Sequence, residues 1–110
     1  MRFENLVACH LLKWIHFEQD SRARDLELRY FRDNNKREVD FVVLEKNTPI
    51  LFIECKLSDN AVSDSLRYLT ERAPAQTKVR SIQLVGRGDR HFVKAGIEVM
   101  PAVKFLGTLT

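Results

Sequence analysis

No stretch of this chain approaches the roughly 20 uncharged apolar residues that cross a bilayer, so no membrane span is expected. The densest apolar segment holds Leu6, Val7, Leu11, Leu12, Trp14 and Ile15, but Glu4, His10, Lys13 and His16 interrupt it, which excludes a secretory leader. Cysteine is scarce. Cys9 and Cys55 are the two in 110 residues, too few for a disulfide framework, and no Cys or His spacing suggests a zinc site. Together these absences lead us to expect a cytoplasmic protein. With four glycines and three prolines there is no linker, repeat or low-complexity tract. A Gly-x-x-x-x-Gly-Lys-Ser/Thr phosphate loop is also missing, so no nucleotide-binding motif of that kind lies within the sequence.

What is present fits one compact domain with a single core, spanning residues 1–110. Apolar residues make up 45% and charged residues 30%, the proportions of an ordinary domain with a well-solvated surface. Eighteen basic against fifteen acidic residues give a net charge of +3, which is compatible with a nucleic-acid partner without specifying one.

Spacings of three and four among Phe3, Leu6, Val7, His10, Leu11, Trp14 and Ile15 predict a helix over 3–17. Glu4 falls on the margin of its apolar stripe beside Leu11 and Ile15, where an inward-pointing carboxylate needs compensation. Strands are expected over 26–32, 38–44 and 50–57. Asp33-Asn34-Asn35 forms the first turn and 45–49 the second connection. A second helix over 61–72 stops before Pro74, a fourth strand covers 78–85, and Gly86-Arg87-Gly88-Asp89-Arg90 is a loop. A last short edge strand is expected within 96–106, limited by Pro101. The fold class is therefore α/β (α+β), a mixed central sheet flanked by helices.

The informative feature is where charge interrupts apolar strands. In Phe52-Ile53-Glu54-Cys55-Lys56 the alternation of side chains sets Glu54 and Lys56 on one face, together with Ile50 and Phe52. Asp40 stands in a similar apolar setting in Glu38-Val39-Asp40-Phe41-Val42. A hairpin centred on Asn47 pairs residues whose numbers sum to 94, which sets Asp40 opposite Glu54. Facing carboxylates destabilise a sheet unless a cation joins them. Mg²⁺ or Mn²⁺, a hard ion held by two carboxylates and several waters, is the expected one. Lys56 would then orient a water or steady charge on a phosphate, and Glu4 would complete the site. The expectation is a metal-dependent phosphodiesterase acting on DNA.

The order of these residues resembles the PD-(D/E)XK nuclease superfamily: Glu on a first helix, Asp on a hairpin strand, then Glu-x-Lys on the next. Four segments, Phe3-Glu4-Asn5-Leu6-Val7, Tyr30-Phe31-Arg32-Asp33, Arg37-Glu38-Val39-Asp40-Phe41-Val42 and Ile53-Glu54-Cys55-Lys56, are similar to a narrower group. That group is the C-terminal domain, of no assigned function, of prokaryotic AAA-type ATPases. The likeness runs over residues 3–106. It implies a restriction-endonuclease-like αβββαβ core, with a metal on Asp40, Glu54 and the backbone carbonyl of Cys55, and with Glu4 and Lys56 completing the site. It also implies a parent chain with an ATPase domain upstream, of which these residues are the C-terminal part. Many active members of the superfamily carry a polar residue, often Gln, on the second helix facing the site; here Ser65 and Arg67 are nearest.

Plainer readings stand beside each of these. Asp40, Glu54 and Lys56 also fit a cross-strand ion-pair cluster, and Glu4 fits exposure near a terminus. Arg29, Arg32, Lys36 and Arg37 fit an ordinary solvated edge better than a phosphate-gripping ridge. His10 and Trp14 read as core-margin residues, His91 as a surface residue, and the Cys55 thiol as core packing. The alternative function is a catalytically silent module of the same fold that recognises DNA or protein, or that joins copies of the chain as a homo-oligomer.

Overall fold

The computed structural model describes residues 2–58, 61–74 and 76–109. Helix α1 (Phe3–Arg22) leads into strands β1 (Leu26–Arg32), β2 (Glu38–Glu45) and β3 (Thr48–Lys56). There follow α2 (Asp64–Arg72), β4 (Arg80–Val85), β5 (Phe92–Lys94), β6 (Ile97–Pro101) and α3 (Ala102–Gly107). The strands form one mixed sheet in the order β1-β2-β3-β4-β6-β5, with β3, β4 and β6 mutually parallel and the other neighbours antiparallel. The αβββαβ order expected from sequence is present, extended by two strands and a helix.

Strand alternation divides the core into two layers. Ile53, Cys55, Ile82, Leu84 and Met100 face α1 and α3, where they meet Val7, Leu11, Ile15, Ala102 and Phe105. Val42, Phe52, Val85 and Val99 face α2 and meet Leu66. Burying side chains such as Leu11, Ile53 and Leu66 contributes about 1.5–3 kcal/mol each. The sheet is thus fixed by helices from both sides, and the cleft described below opens where β2 begins and β3 ends. Among the described residues no helix is long and apolar enough to cross a membrane.

Helix α1 runs five residues past the expected end at Phe17, to Arg22. Its buried stripe of Val7, Leu11 and Ile15 continues through Glu18, and a count of apolar residues alone stops before a charge. Ala23 then ends the helix in the left-handed region, at φ 53°.

The first turn forms as expected, with Asp33 Oδ1 accepting from the backbone N–H groups of Asn35 and Arg37 at 2.9 Å each. The second connection is tighter than expected. Lys46 and Asn47, at φ 51° and 66°, make a two-residue hairpin of the I′ kind, and β3 begins at Thr48. Near this turn partners sum to 93, as in Glu45↔Thr48. Ile50 is then an extra residue, and beyond it partners sum to 94, as in Phe41↔Ile53. The expected register at the site end is therefore correct, reached through a bulge the sequence does not announce. A second bulge lies between β1 and β2, where Asp40 and Phe41 together oppose Tyr30. Bulges of this kind re-aim a side chain at the rim of a sheet, and here that side chain is Asp40.

The C-terminal region departs most from expectation. The predicted single edge strand within 96–106 is two elements, β6 and α3, and an unexpected strand, β5, precedes them. Ala95 and Gly96, at φ 55° and 77°, turn β5 back onto β6 in another two-residue hairpin. Consequently β6 is interior, between β4 and β5, and the edges are β1 and β5. Pro101 ends the strand and starts α3, a position where its missing N–H costs nothing.

Candidate functional site

The start of β2, the C-terminal end of β3 and the N-termini of α1 and α2 surround an open polar cleft of about 380 Å³. Asp40 and Glu54 line it, with Lys56, Glu4 and Ser63 around them. The ladder between β2 and β3 stops at Phe41↔Ile53. Asp40 and Glu54 are the next pair outward, adjacent but beyond the end of that ladder, while Glu54 still pairs with Gln83 on β4.

Each carboxylate is anchored by the protein. Asp40 Oδ2 accepts the backbone N–H of Cys55 at 2.8 Å, and Glu54 Oε2 accepts the hydroxyl of Ser63 at 3.0 Å. Glu54 is 7% exposed. Burial, followed by hydrogen bonding to Asp40 and that group's charge, raises its pKa from 4.5 to about 8, against the opposing pull of Ser63 and Lys56. Glu54 is thereby pushed toward its protonated form near neutral pH. Lys56 is exposed and lies on the face of β3 that carries Glu54, as strand alternation requires.

Glu4 corrects one expectation. It lines the cleft from the first turn of α1, but its side chain is exposed, so water solvates it and no buried partner is needed. Cys55 contributes the N–H that holds Asp40. Its thiol packs in the α1-facing core, as expected, and burial together with the charges of Asp40, Glu4 and Glu54 pushes its pKa up. A thiol held protonated is not a nucleophile.

Among the described residues no group of three or more His, Cys, Asp or Glu side chains is arranged to hold a metal. The side-chain donors on the cleft floor are two carboxylates. That set suits a hard ion such as Mg²⁺ that keeps most of its waters, and does not suit a protein cage or a zinc site.

From sequence, Ser63, Gln83 and Asp64 are passed over, and Lys36 is weighed only as part of a phosphate-gripping ridge around the first hairpin. Lys36, Ser63 and Asp64 line the cleft, and Gln83 is wholly buried behind it. Two signals would have found Ser63 and Gln83. Ser63-Asp64-Ser65 before Leu66 and Leu69 is a helix-start pattern, and Gln83 interrupts the apolar run Ile82-Gln83-Leu84 as Glu54 interrupts its own. Ser65 faces the cleft and accepts the Glu38 backbone N–H at 3.3 Å, whereas Arg67 lies in a neighbouring groove with Arg37 and Tyr68.

Around the first hairpin each arginine is met by a carboxylate: Arg29 by Glu27 at 2.8 Å, Arg32 by Glu38 at 2.9 Å and Arg37 by Asp33 at 3.1 Å. This is the solvated, self-neutralised edge. His10 and Trp14 are half-buried at the margin of α1, with Arg24 stacked 5.6 Å from the Trp14 ring. His91 is exposed, its Nδ1 2.7 Å from Lys104 Nζ.

Residues 1–105 match a family model described as a domain of unknown function (DUF4143). No curated protein and no solved structure matches the chain.

Proposed function

The chain belongs to the DUF4143 family, which carries no assigned activity, and from its cleft we propose a metal-dependent phosphodiesterase domain acting on DNA. One observation carries this reading. A buried glutamate faces a second acid at the floor of an open cleft, with a lysine on the same strand face. Such an arrangement is destabilising by itself and is made useful by a divalent cation. Membership of the PD-(D/E)XK superfamily, Mg²⁺ or Mn²⁺ as cofactor, an upstream ATPase domain in the parent protein and a cytoplasmic setting all belong to the proposal. The Glu-x-Lys pattern with its preceding Asp supports the first two, the resemblance over four segments supports the ATPase domain, and the two free cysteines support the setting.

In this reading Asp40 and Glu54 would hold the ion while Cys55 and Ser63 keep the two carboxylates in place. A divalent ion there supplies Lewis acidity toward a phosphate oxygen and lowers the pKa of a bound water. Lys56 directs its ammonium to the reacting phosphate, where negative charge builds up, or to the attacking water. Glu4, at the solvent rim, accepts hydrogen bonds from water entering the site. Lys36 supplies positive charge where the strand would enter. The test is cleavage of linear, nicked, branched and single-stranded DNA with Mn²⁺. Wild type is expected to cut at least one of these, and the Asp40→Ala, Glu54→Ala double variant none. Equal cutting by both would refute the assignment.

A second reading is favoured by the exposed position of Glu4 and by the lack, among the described residues, of a third converging acid. It is a nuclease-fold module that binds a cation and DNA or a protein partner, or assembles as a homo-oligomer, without turnover. Mn²⁺ binding at Asp40 and Glu54 with no cleavage of any substrate would select it.

A further inference from the structure

Behind Glu54 lies a chain of hydrogen bonds running from the sheet through Gln83 and Ser63. Gln83 is wholly buried on β4, opposite Glu54 in the parallel ladder. Its Nε2 donates to the Ala61 carbonyl at 2.8 Å, and its Oε1 accepts the Ser63 backbone N–H at 2.8 Å. Because a carbonyl only accepts and an N–H only donates, the Gln83 amide has one permitted orientation. Ser63, 9% exposed, caps α2: its Oγ accepts the Leu66 N–H at 3.2 Å. The hydroxyl proton is thereby left for Glu54 Oε2, 3.0 Å away. The Gln83 amide cannot flip without stranding a buried polar group, which costs about 1–3 kcal/mol.

The cap alone does not require this arrangement. An N-cap serine needs only its oxygen aimed at the helix, and many hydroxyl orientations satisfy that. Here the segment before α2 is clamped to the sheet by Gln83, and the clamp delivers the serine proton to the buried Glu54 carboxylate. We infer that Gln83 and Ser63 are positioning residues for Glu54, fixing one carboxylate oxygen to the protein so that the other is presented to Asp40 and to the cation the two acids would share. The cation part rests on the function proposed above; the fixing of Glu54 does not.

Ser63→Gly and Ser63→Thr separate positioning from capping. Glycine is nearly as good an N-cap as serine, within a few tenths of a kcal/mol, but has no proton to donate. Threonine keeps both roles. Mn²⁺ affinity measured by calorimetry is expected to fall about tenfold in Ser63→Gly, as for lost outer-sphere partners of metal ligands, and to recover in Ser63→Thr. Gln83→Met, which keeps the volume and removes the clamp, is expected to match Ser63→Gly. A metal-free crystal structure of Ser63→Gly supplies the second arm. There the Glu54 carboxylate is expected to move by about 1 Å, enough to spoil a site that needs roughly 0.5 Å precision. Wild-type affinity together with an unmoved Glu54 in Ser63→Gly would overturn the inference. If wild type itself binds no Mn²⁺, the proposed function fails, and the position of Glu54 alone decides whether the two residues hold it.

Discussion

Two glutamates of this domain are almost equally buried, Glu18 at 6% and Glu54 at 7% exposure, and their surroundings are opposite in sign. Glu18, near the end of α1, is met by Arg22 at 3.3 Å and Arg24 at 3.5 Å. Arg24 also grips Glu45 with two nitrogens at 2.9 and 3.0 Å, which holds α1 to the hairpin. Glu54 faces Asp40 instead, and Lys56, the nearby cation, is exposed. Burial of a charge is tolerated where it is neutralised on the spot. The first cluster is balanced in charge and structural, with Glu18 Oε2 held by charge rather than by a hydrogen bond. The second faces like charge with like charge, which pushes Glu54 toward its protonated form; the function proposed for this cleft rests on that imbalance.

The sharpest way to break this comparison is to neutralise each end separately. Glu54→Gln or Asp40→Asn is expected to lower Mn²⁺-dependent cleavage by at least about 100-fold, or roughly 2.7 kcal/mol, with a folded circular-dichroism spectrum retained. Glu18→Ala acts on the other end. It strands Arg24 in part and opens space under α1, so thermal unfolding is expected to show a loss of about 1–2 kcal/mol. That is less than the 3–5 kcal/mol of a fully buried pair, because Arg22 is 67% exposed and water replaces its partner. Cleavage per folded molecule should not change.

Stability should move the other way at the site. With the like-charge confrontation removed, Glu54→Gln is expected to raise stability at pH 8 by about 1 kcal/mol, or roughly 4–8 °C in Tm for a domain near this size. The pH dependence follows from the same group. A carboxyl raised from 4.5 to about 8 keeps its proton in the folded state after the unfolded chain has lost it. Its contribution is therefore complete below pH 4.5 and drains away as pH rises toward 8. Glu45 runs oppositely: hydrogen bonding to Arg24 lowers its pKa, so its contribution is present at neutral pH and lost as acid protonates it. Urea unfolding between pH 4 and 9 should show the Glu54 slope in wild type and not in Glu54→Gln. Added Mg²⁺ should stabilise wild type more at pH 8 than at pH 6, where the proton competes. The smallest effect is expected at Arg29→Gln, whose exposed partner Glu27 lies on the same strand; its Tm should equal that of wild type within error.

Much of this was legible in the sequence where one residue type carried one message. Charges inside apolar strands located Asp40, Glu54 and Lys56, and period-2 alternation sent the Cys55 thiol to the other face. Helical spacing located α1 and α2. What stayed hidden depended on pairs of elements. The bulges at Ile50 and at Asp40-Phe41 are relations between strands, and no single strand encodes them. The turn at Ala95-Gly96 places one non-glycine residue at positive φ, so β5 and β6 merged with their surroundings in a one-dimensional reading. Glu18 hid the end of α1 because a paired charge is as buried as a leucine. Ser63 and Gln83 hid because their role lies in each other's company, across 20 residues of chain.

The most direct test is a crystal soaked in Mn²⁺ at pH 8, with the ion located by its anomalous scattering. The account predicts one peak between residues 40 and 54, within bonding distance of an oxygen from each carboxylate. A density map with no manganese there at saturating concentration, while both acids remain side by side, would contradict it.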